Sequence, residues 1–512
     1  MPDEIFKKLK SKITPAFAAC LLSSFVFGFA AHFYRMTNWL PNWDSLVFRE
    51  DPQHMESLGR WFLSFASSLS TDYELPWLCG LICLLFFGLG AAVICKMFGV
   101  EKKLSAVLIG ALTVTFPAVT STFTYCYVSD AYALSFLLAC LGAYFVSKKG
   151  LKNAAVGVGF AVLSLGIYQA YITVFAALLT ARLIMDLLCG ENAAASLKKA
   201  GKYIVCAALA VGIYAGIFAV VCAVCKVTPS DYQELSNAVE LKNLSPLSSV
   251  ASSLYIFWEF FVDFSTGINA YSIVNLAFLA LLAVGYSAAA LSRLRGGRIF
   301  LWAVYSLSIP FGCSALYFAN PELDYHSLMK MSFFIVYIYA VMLYEKFPAK
   351  KITAEKVKAW AVLTLCSVIV YVNICTANVA YHKLQMAYEK SYGILMRISD
   401  RIESLDGYEK AKNILVVGWL ENSESYSVNF PPEIVGTTDG LIIRHDDEVV
   451  GQSVLTSALN DYSNISLDFL SGDTAKELKN TDKVKSMPCF PADGSVDMIG
   501  DTVVVKLCEE TD

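Results

Sequence analysis

Residues 38–61 read NWLPNWDSLVFREDPQHMESLGRW and separate the first long apolar segment of the chain from the second. The stretch sets Asp44, Glu50, Asp51, His54, Glu56 and Arg60 among Trp39, Trp43, Phe48 and Trp61. Acids, a permanent cation and aromatic rings at a membrane edge suit the handling of a charged, sugar-bearing lipid. The same residues suit an interfacial loop with an aromatic belt, since Trp and Tyr gather at membrane–water boundaries. Which reading holds depends on where the loop sits in the whole chain.

The chain has 512 residues, of which 56% are hydrophobic and only 16% charged, with a mean hydropathy of +0.53. Soluble domains average about 25% charged residues, so this composition belongs to a multi-pass membrane protein with some soluble part. The formal net charge of −4 carries little information because the charges are segregated. No nucleic-acid partner is expected. Most of the 15 cysteines fall inside apolar segments, where a free thiol behaves as a small hydrophobe. Cys222 and Cys225 are closely spaced but lie in an apolar run with no second pair, so zinc is not indicated and no metal ligands are assigned. Cys489 and Cys508 lie in the polar tail and are able to pair if that tail is outside the cell.

Residues 14–34 are expected to be a retained first helix, being long enough to span a bilayer. Further spans are expected near 76–98, 104–121, 130–147, 154–169, 171–188, 203–225, 271–292, 299–318, 329–345 and 359–376. The fold class is therefore mostly α: a polytopic membrane protein of about eleven transmembrane helices. Basic residues fall on alternate loops: Lys7, Lys8, Lys10 and Lys12; Lys102 and Lys103; Lys148, Lys149 and Lys152; Lys198, Lys199 and Lys202; Arg293, Arg295 and Arg298; Lys350, Lys351, Lys356 and Lys358. Basic loops stay cytoplasmic. The N-terminus is thus expected inside, and residues 38–61 and everything after 377 outside.

Three of the expected outer loops are short and rich in tyrosine. They carry Tyr125-Cys126-Tyr127-Val128-Ser129-Asp130, Tyr168-Gln169-Ala170-Tyr171, and Asn320 to His326 with Asp324 and Tyr325. A longer one, 226–270, includes Tyr255 to Asp263, which reads as a helix lying in the interface. Residues 377–405 repeat apolar positions at helical spacing, as a surface helix does. Residues 413–418, 441–443 and 502–505 read as strands. The expected organisation is a membrane domain over 1–376 and an extracytoplasmic helix with a small α/β or α+β domain over 377–512.

Ionisable groups are nearly absent from the middle of the spans, and no paired Gly/Pro interruptions occur, which disfavours an ion-coupled transporter. Acids at the outer face suit chemistry on a lipid head group. A sugar linked to a polyprenol through phosphate carries a good leaving group. The acceptor hydroxyl must lose its proton as it attacks the anomeric carbon, and one carboxylate can take it. Arginine holds the phosphate in a bidentate way, while aromatic rings stack on sugar and prenyl chain. Asp44 is the candidate base. Glu50 and Asp51 are alternative bases, a possible seat for a divalent cation, or solvated turn residues. Arg60 is a phosphate partner or a snorkelling anchor; Trp43 and Trp61 are stacking surfaces or belt residues. Tyr127, Asp130, Tyr168 and Gln169 are substrate contacts or helix-end caps. His326 is a candidate substrate contact; both it and His54 otherwise read as solvated loop residues rather than metal ligands.

Several short motifs then follow in a telling order: Asn42-Trp43-Asp44, Gly59-Arg60-Trp61, Ser129-Asp130-Ala131-Tyr132, Tyr168-Gln169-Ala170-Tyr171, and a helix over 377–402 with Ala377, Tyr381, Tyr388-Glu389-Lys390 and Arg401-Ile402. In this order and topology the chain resembles the GtrII-type serotype-converting glucosyltransferases of the C-type (GT-C) glycosyltransferase superfamily, over nearly its whole length. That resemblance implies transfer of a hexose, typically glucose, from a polyprenyl-phosphate donor to a cell-envelope polysaccharide or glycolipid on the outer face of a bacterial plasma membrane. It also implies an acid of the first outer loop as base, which maps to Asp44. A ligase of lipid-linked saccharides is the alternative enzyme, and a flippase or exporter of such lipids the alternative outside enzymology. A receptor whose work lies in 377–512 is a further possibility.

Overall fold

The computed structural model describes residues 4, 13–41, 43–47, 57–70, 74–230, 246–265, 267–319, 325–348, 351–419, 432–437 and 448–508. The chain divides into two compact units. One comprises Met1–Asn38, Asp51–Val379 and Asn429–Val435; the other comprises Trp39–Glu50, Ala380–Val428 and Gly436–Asp512.

The first unit is built of helices whose ends are marked by ordinary capping chemistry. Helix α1 (Pro15–Thr37) begins at Thr14, whose Oγ1 accepts the Phe17 N–H at 3.1 Å, with Pro15 in the first turn. After α2 (Trp43–Val47), which belongs to the other unit, come α3 (Leu63–Ser67) and α4 (Pro76–Phe98). Helix α4 starts on a proline and ends at Gly99 in the left-handed conformation. Helices α5 (Lys103–Val114) and α6 (Pro117–Thr124) are one apolar run bent by 44°, because Pro117 opens a new helix there. Then follow α7 (Cys126–Ser147), α8 (Leu151–Ile167), a 3-10 turn (Gln169–Tyr171), α9 (Ile172–Leu188) and α10 (Ala193–Cys225). Helices α11 (Pro246–Phe261), α12 (Ala270–Arg293), α13 (Gly297–Cys313) and α14 (Ala315–Ala319) lead to a 3-10 segment (Ser327–Phe334) and α15 (Ile335–Lys346).

The tightest packing joins α4 to α7, α7 to α8, and α1 to α4 and α5. Gly110 is what lets α5 approach α1: a Cβ there would sit 2.4 Å from the Cys20 carbonyl oxygen. His32 is fully buried in this region, stacked on Phe123 at 4.2 Å and hydrogen-bonded to the Val114 carbonyl at 2.8 Å.

The structure shows fewer than the eleven expected spans among its described residues. Among the described residues, eight helices are long and apolar enough to cross a membrane, or nine when α5 and α6 count as one bent span. The runs expected at 154–169 and 299–318 form α8 and α13, each of 17 residues. At 1.5 Å per residue that is about 25 Å, short of a hydrocarbon core of about 30 Å. The Tyr168–Tyr171 turn ends α8, and the break at Ser314 after Pro310 ends α13. Of the 255–263 run, residues 255–261 form the end of the 16-residue α11, which is not a candidate span.

The span expected to end at 376 and the surface helix expected from 377 form one element. Helix α16 (Ile352–Glu403) runs unbroken for 52 residues. The polar residues at the expected break are satisfied on the helix itself: Thr376 Oγ1 donates to the Val372 carbonyl, and Asn378 Nδ2 to that of Ile374.

The second unit contains a four-stranded sheet made of β1 (Asn413–Val417), β2 (Asp468–Phe469), β3 (Val496–Ile499) and β4 (Thr502–Lys506), in the order β2-β1-β4-β3. Strand β1 is parallel to both β2 and β4, and β3 is antiparallel to β4. Successive side chains of a strand point to opposite faces, so both faces of β1 are apolar. Ile414 and Val416 face a core with Leu395, Ile398 and Ile402 of α16 and with Val454 and Leu459 of α17 (Glu448–Tyr462). Leu415 and Val417 face Ala475 of α18 (Gly472–Lys479) and Val484 of α19 (Asp482–Ser486). This is a small mixed-sheet domain with helices on both faces. The strand expected at 441–443 lies outside the described residues. Arg401 clamps the loop before β3, donating to the carbonyls of Pro491 and Ala492 and to Ser495 Oγ at 2.6, 2.9 and 2.9 Å.

Candidate functional site

The loop between the first two spans is shared between the units. Residues 39–50 belong to the second, where α2 packs on α17 and Leu46 enters the sheet core. Asp44 lies in α2 and is buried to 9% exposure. Trp39 stacks on Tyr462 with ring centroids 5.6 Å apart. Trp43 opens α2, but its side chain, and all of Glu50 and Asp51, lie outside the described residues.

Arg60 and Trp61 belong to the first unit. The turn that presents them is tied at both ends. Before it, Gln169 Nε2 donates to the Leu58 carbonyl at 2.6 Å and to Tyr214 Oη at 2.8 Å, and Tyr214 donates to the Gly59 carbonyl at 3.1 Å. After it, the Phe62 N–H donates to the Gly166 carbonyl at 2.8 Å. Gly59 sits at φ +75°, a left-handed conformation that costs glycine little, and a Cβ there would lie 2.4 Å from Tyr214 Oη. Gly166 is needed for a different reason: a Cβ would meet the Trp61 ring at 2.7 Å.

The half-buried Arg60 guanidinium lies 5.1 Å from the centre of the Tyr168 ring, and Nη1 donates to Tyr132 Oη at 3.3 Å. Tyr132 and Tyr168 are themselves stacked at 4.6 Å and 19°. The result is a cation over an aromatic face in a largely enclosed setting, a contact worth about 0.5–2 kcal/mol. A guanidinium held in this way keeps its charge and its planar fork in a fixed orientation.

The structure thus brings Arg60, Trp61, Tyr168 and Gln169 together. Asp130 is fully buried in the second turn of α7, with Oδ1 accepting the Ala131 N–H at 2.9 Å, and Tyr127 is buried one turn earlier. His326 is half-buried immediately before the 3-10 segment. Its neighbour Ser327 bonds to Ser121 Oγ at 2.7 Å and accepts the Val435 N–H at 3.0 Å, while Thr124 donates to the Val435 carbonyl at 2.9 Å. A late piece of chain, around Val435, therefore packs within the helical unit. Among the described residues no cluster of three His, Cys, Asp or Glu is placed to hold a metal ion.

Three contributors were not singled out from sequence. Tyr132 and Tyr214 complete the arginine's setting, and only Tyr132 fell inside a quoted motif. The third is a buried ion pair: Arg35 Nη2 lies 2.6 Å from Glu74 Oε1, with side-chain exposures of 1% and 7%. A lone arginine closing the apolar α1 was the available signal, since a charge there needs a partner.

Among the described residues, eight or nine helices able to cross a membrane mark a multi-pass membrane protein, with an arginine set among tyrosines beside a helix-ending turn. The chain belongs to the GtrII glucosyl transferase family: the family model described as "Glucosyl transferase GtrII" matches residues 33–345, more than half of its length. Comparison with curated proteins and with solved structures gave no match. Membership makes the protein a glycosyltransferase with a sugar donor and an acceptor as its partners.

Proposed function

We propose that the protein moves a hexose, in the first instance glucose, from a polyprenyl-phosphate donor to a cell-envelope polysaccharide or glycolipid at the outer face of a bacterial plasma membrane. Family membership supports the reaction class. The basic loops support an inside N-terminus and an outside C-terminal domain. The single observation that carries the donor assignment is the Arg60 setting, a cation over Tyr168 and bonded to Tyr132.

In this reading Arg60 binds the donor phosphate, and Trp61 and Tyr168 offer ring surfaces. Asp44 takes the proton from the acceptor hydroxyl as its oxygen bonds to the anomeric carbon. The bond from that carbon to the phosphate oxygen breaks, and polyprenyl phosphate leaves with the electron pair. Asp130 is the second candidate base, favoured by one observation: it shares its unit, and helix α7, with Tyr132.

The test is an assay of purified protein with polyprenyl-phosphoglucose and acceptor. Wild type is expected to transfer the sugar, and Asp44→Asn to lose transfer while inserting normally. Retained transfer in Asp44→Asn with loss in Asp130→Asn would move the base to α7. No transfer by wild type, with lipid translocation intact in both variants, would replace the enzyme by an exporter.

A further inference from the structure

We propose that the prenyl chain of the lipid donor lies in the groove between α8 and α10, with Trp61 at its head and Gly159 providing the room. The inference rests on the donor reading above and locates the part of the donor that Arg60 does not touch.

The groove has a volume of about 1580 Å³ and runs along α8 and α10 from Trp61 at one end to Lys148, Lys149 and Lys198 at the other. Its walls are apolar. Val156 of α8 is 39% exposed, and Leu209 and Ile213 of α10 are 52% and 46% exposed. Helix α8 alone offers a track of about 25 Å.

Gly159 is not a packing glycine. A Cβ at Gly157, two residues away, would sit 2.7 Å from the Gly142 carbonyl oxygen, whereas one at Gly159 meets nothing within 4 Å. The space over Gly159 belongs to the groove, as Gly159 is one of its lining residues.

Continuity with the arginine selects the occupant. Trp61 packs its ring on Gly166 at the end of α8, so a phosphate on Arg60 delivers its attached chain to the groove mouth one residue away. A phospholipid would have to enter the other way, head group on the lysines. Of the lysines lining that end, Lys148 lies 4.2 Å from the Tyr144 ring centre, Lys199 pairs with Asp186 and Glu191, and Lys202 donates to the Val146 and Lys148 carbonyls. The trp-capped end, beside a guanidinium, is the better seat for a phosphate with a long apolar tail.

The test compares donors carrying glucose on undecaprenyl and on geranyl phosphate, using the full-length protein. Wild type is expected to favour the long chain. Gly159→Trp should lower kcat/KM for the long donor by roughly tenfold or more, because even one displaced isoprene unit forfeits several buried methylenes, and should leave the short donor nearly unchanged. Gly159→Ala should behave as wild type. If Gly159→Trp fails to accumulate, Leu209→Trp on the facing helix carries the same expectation. A donor with a photoreactive group in its chain should label peptides of α8 and α10, and the label should yield to unlabelled donor but not to phosphatidylglycerol. Equal loss for both donors, no loss for either, or displacement by phosphatidylglycerol alone would overturn the groove assignment in an enzyme that still transfers sugar. No transfer by wild type with any donor would instead remove the reading on which it rests.

Discussion

Arg60 is the side chain on which the donor reading turns, and its replacement by lysine is informative. Lysine keeps the charge but loses the planar fork and the ring contact with Tyr168. A charge-assisted hydrogen bond is worth about 1.5–3 kcal/mol, so Arg60→Lys is expected to lower kcat/KM by about 10- to 100-fold, measured with the lipid-linked donor. Arg35 and Glu74 pose a different case. Their pair is buried on both sides, and removing one partner leaves the other charge buried without its ion pair. Glu74→Ala is therefore expected to destabilise the protein by about 3–5 kcal/mol, read as a drop in melting temperature in detergent. Arg35→Met with Glu74→Leu should recover much of that loss, since two apolar side chains leave no unpaired charge.

At the scale of elements, the turn carrying Arg60 depends on how closely α8 lets Trp61 approach. Gly166→Leu drives a side chain into the indole, which already stands 2.7 Å from where a Cβ would be. Overpacking of this kind costs about 1–3 kcal/mol, and the variant is expected to lose transfer activity more than it loses thermal stability. Much of the element layout was legible in the chain: Thr14-Pro15, Pro76 and Gly99 mark real helix ends, and the strands at 413–418 and 502–505 are present. Two elements misled. The runs over 154–169 and 299–318 are apolar enough for spans but are cut to 17 residues by the turns that follow them. The long α16 unites the span expected over 359–376 with the helix expected from 377, and Thr376 and Asn378 at the join bond to their own helix. The tyrosines around Arg60 were half legible. Tyr168 and Gln169 stood out at a helix-ending turn, but Tyr214 lies inside an uninterrupted apolar run, where nothing distinguishes a hydrogen-bonding phenol from an ordinary core tyrosine.

For the molecule as a whole, orientation is testable on native cysteines. Cys189 and Cys225 are both exposed and flank α10 at opposite ends. A membrane-impermeant maleimide applied to intact cells, followed by peptide mapping, is expected to label Cys225 and spare Cys189 until the membrane is opened. Once accessible, Cys189 should react slowly at neutral pH. Burial, with the Asp186 carboxylate nearby, pushes its thiol up, so less thiolate is present and labelling should speed up as the pH rises. The opposite labelling pattern would invert the topology and place Arg60 on the cytoplasmic side.

The sharing of the loop between the first two spans by two units sets a timetable for synthesis. Leu46 is made early, yet the strands and helices it packs against lie after residue 390. At roughly 5–20 residues per second, α17 follows α2 by tens of seconds. Throughout that interval the helices on either side of the loop are inserted while the piece bearing Asp44 has no core to join. The nascent protein therefore passes through a long-lived state with its proposed base unplaced, and a ribosome stalled before residue 448 would leave an inserted but inactive chain.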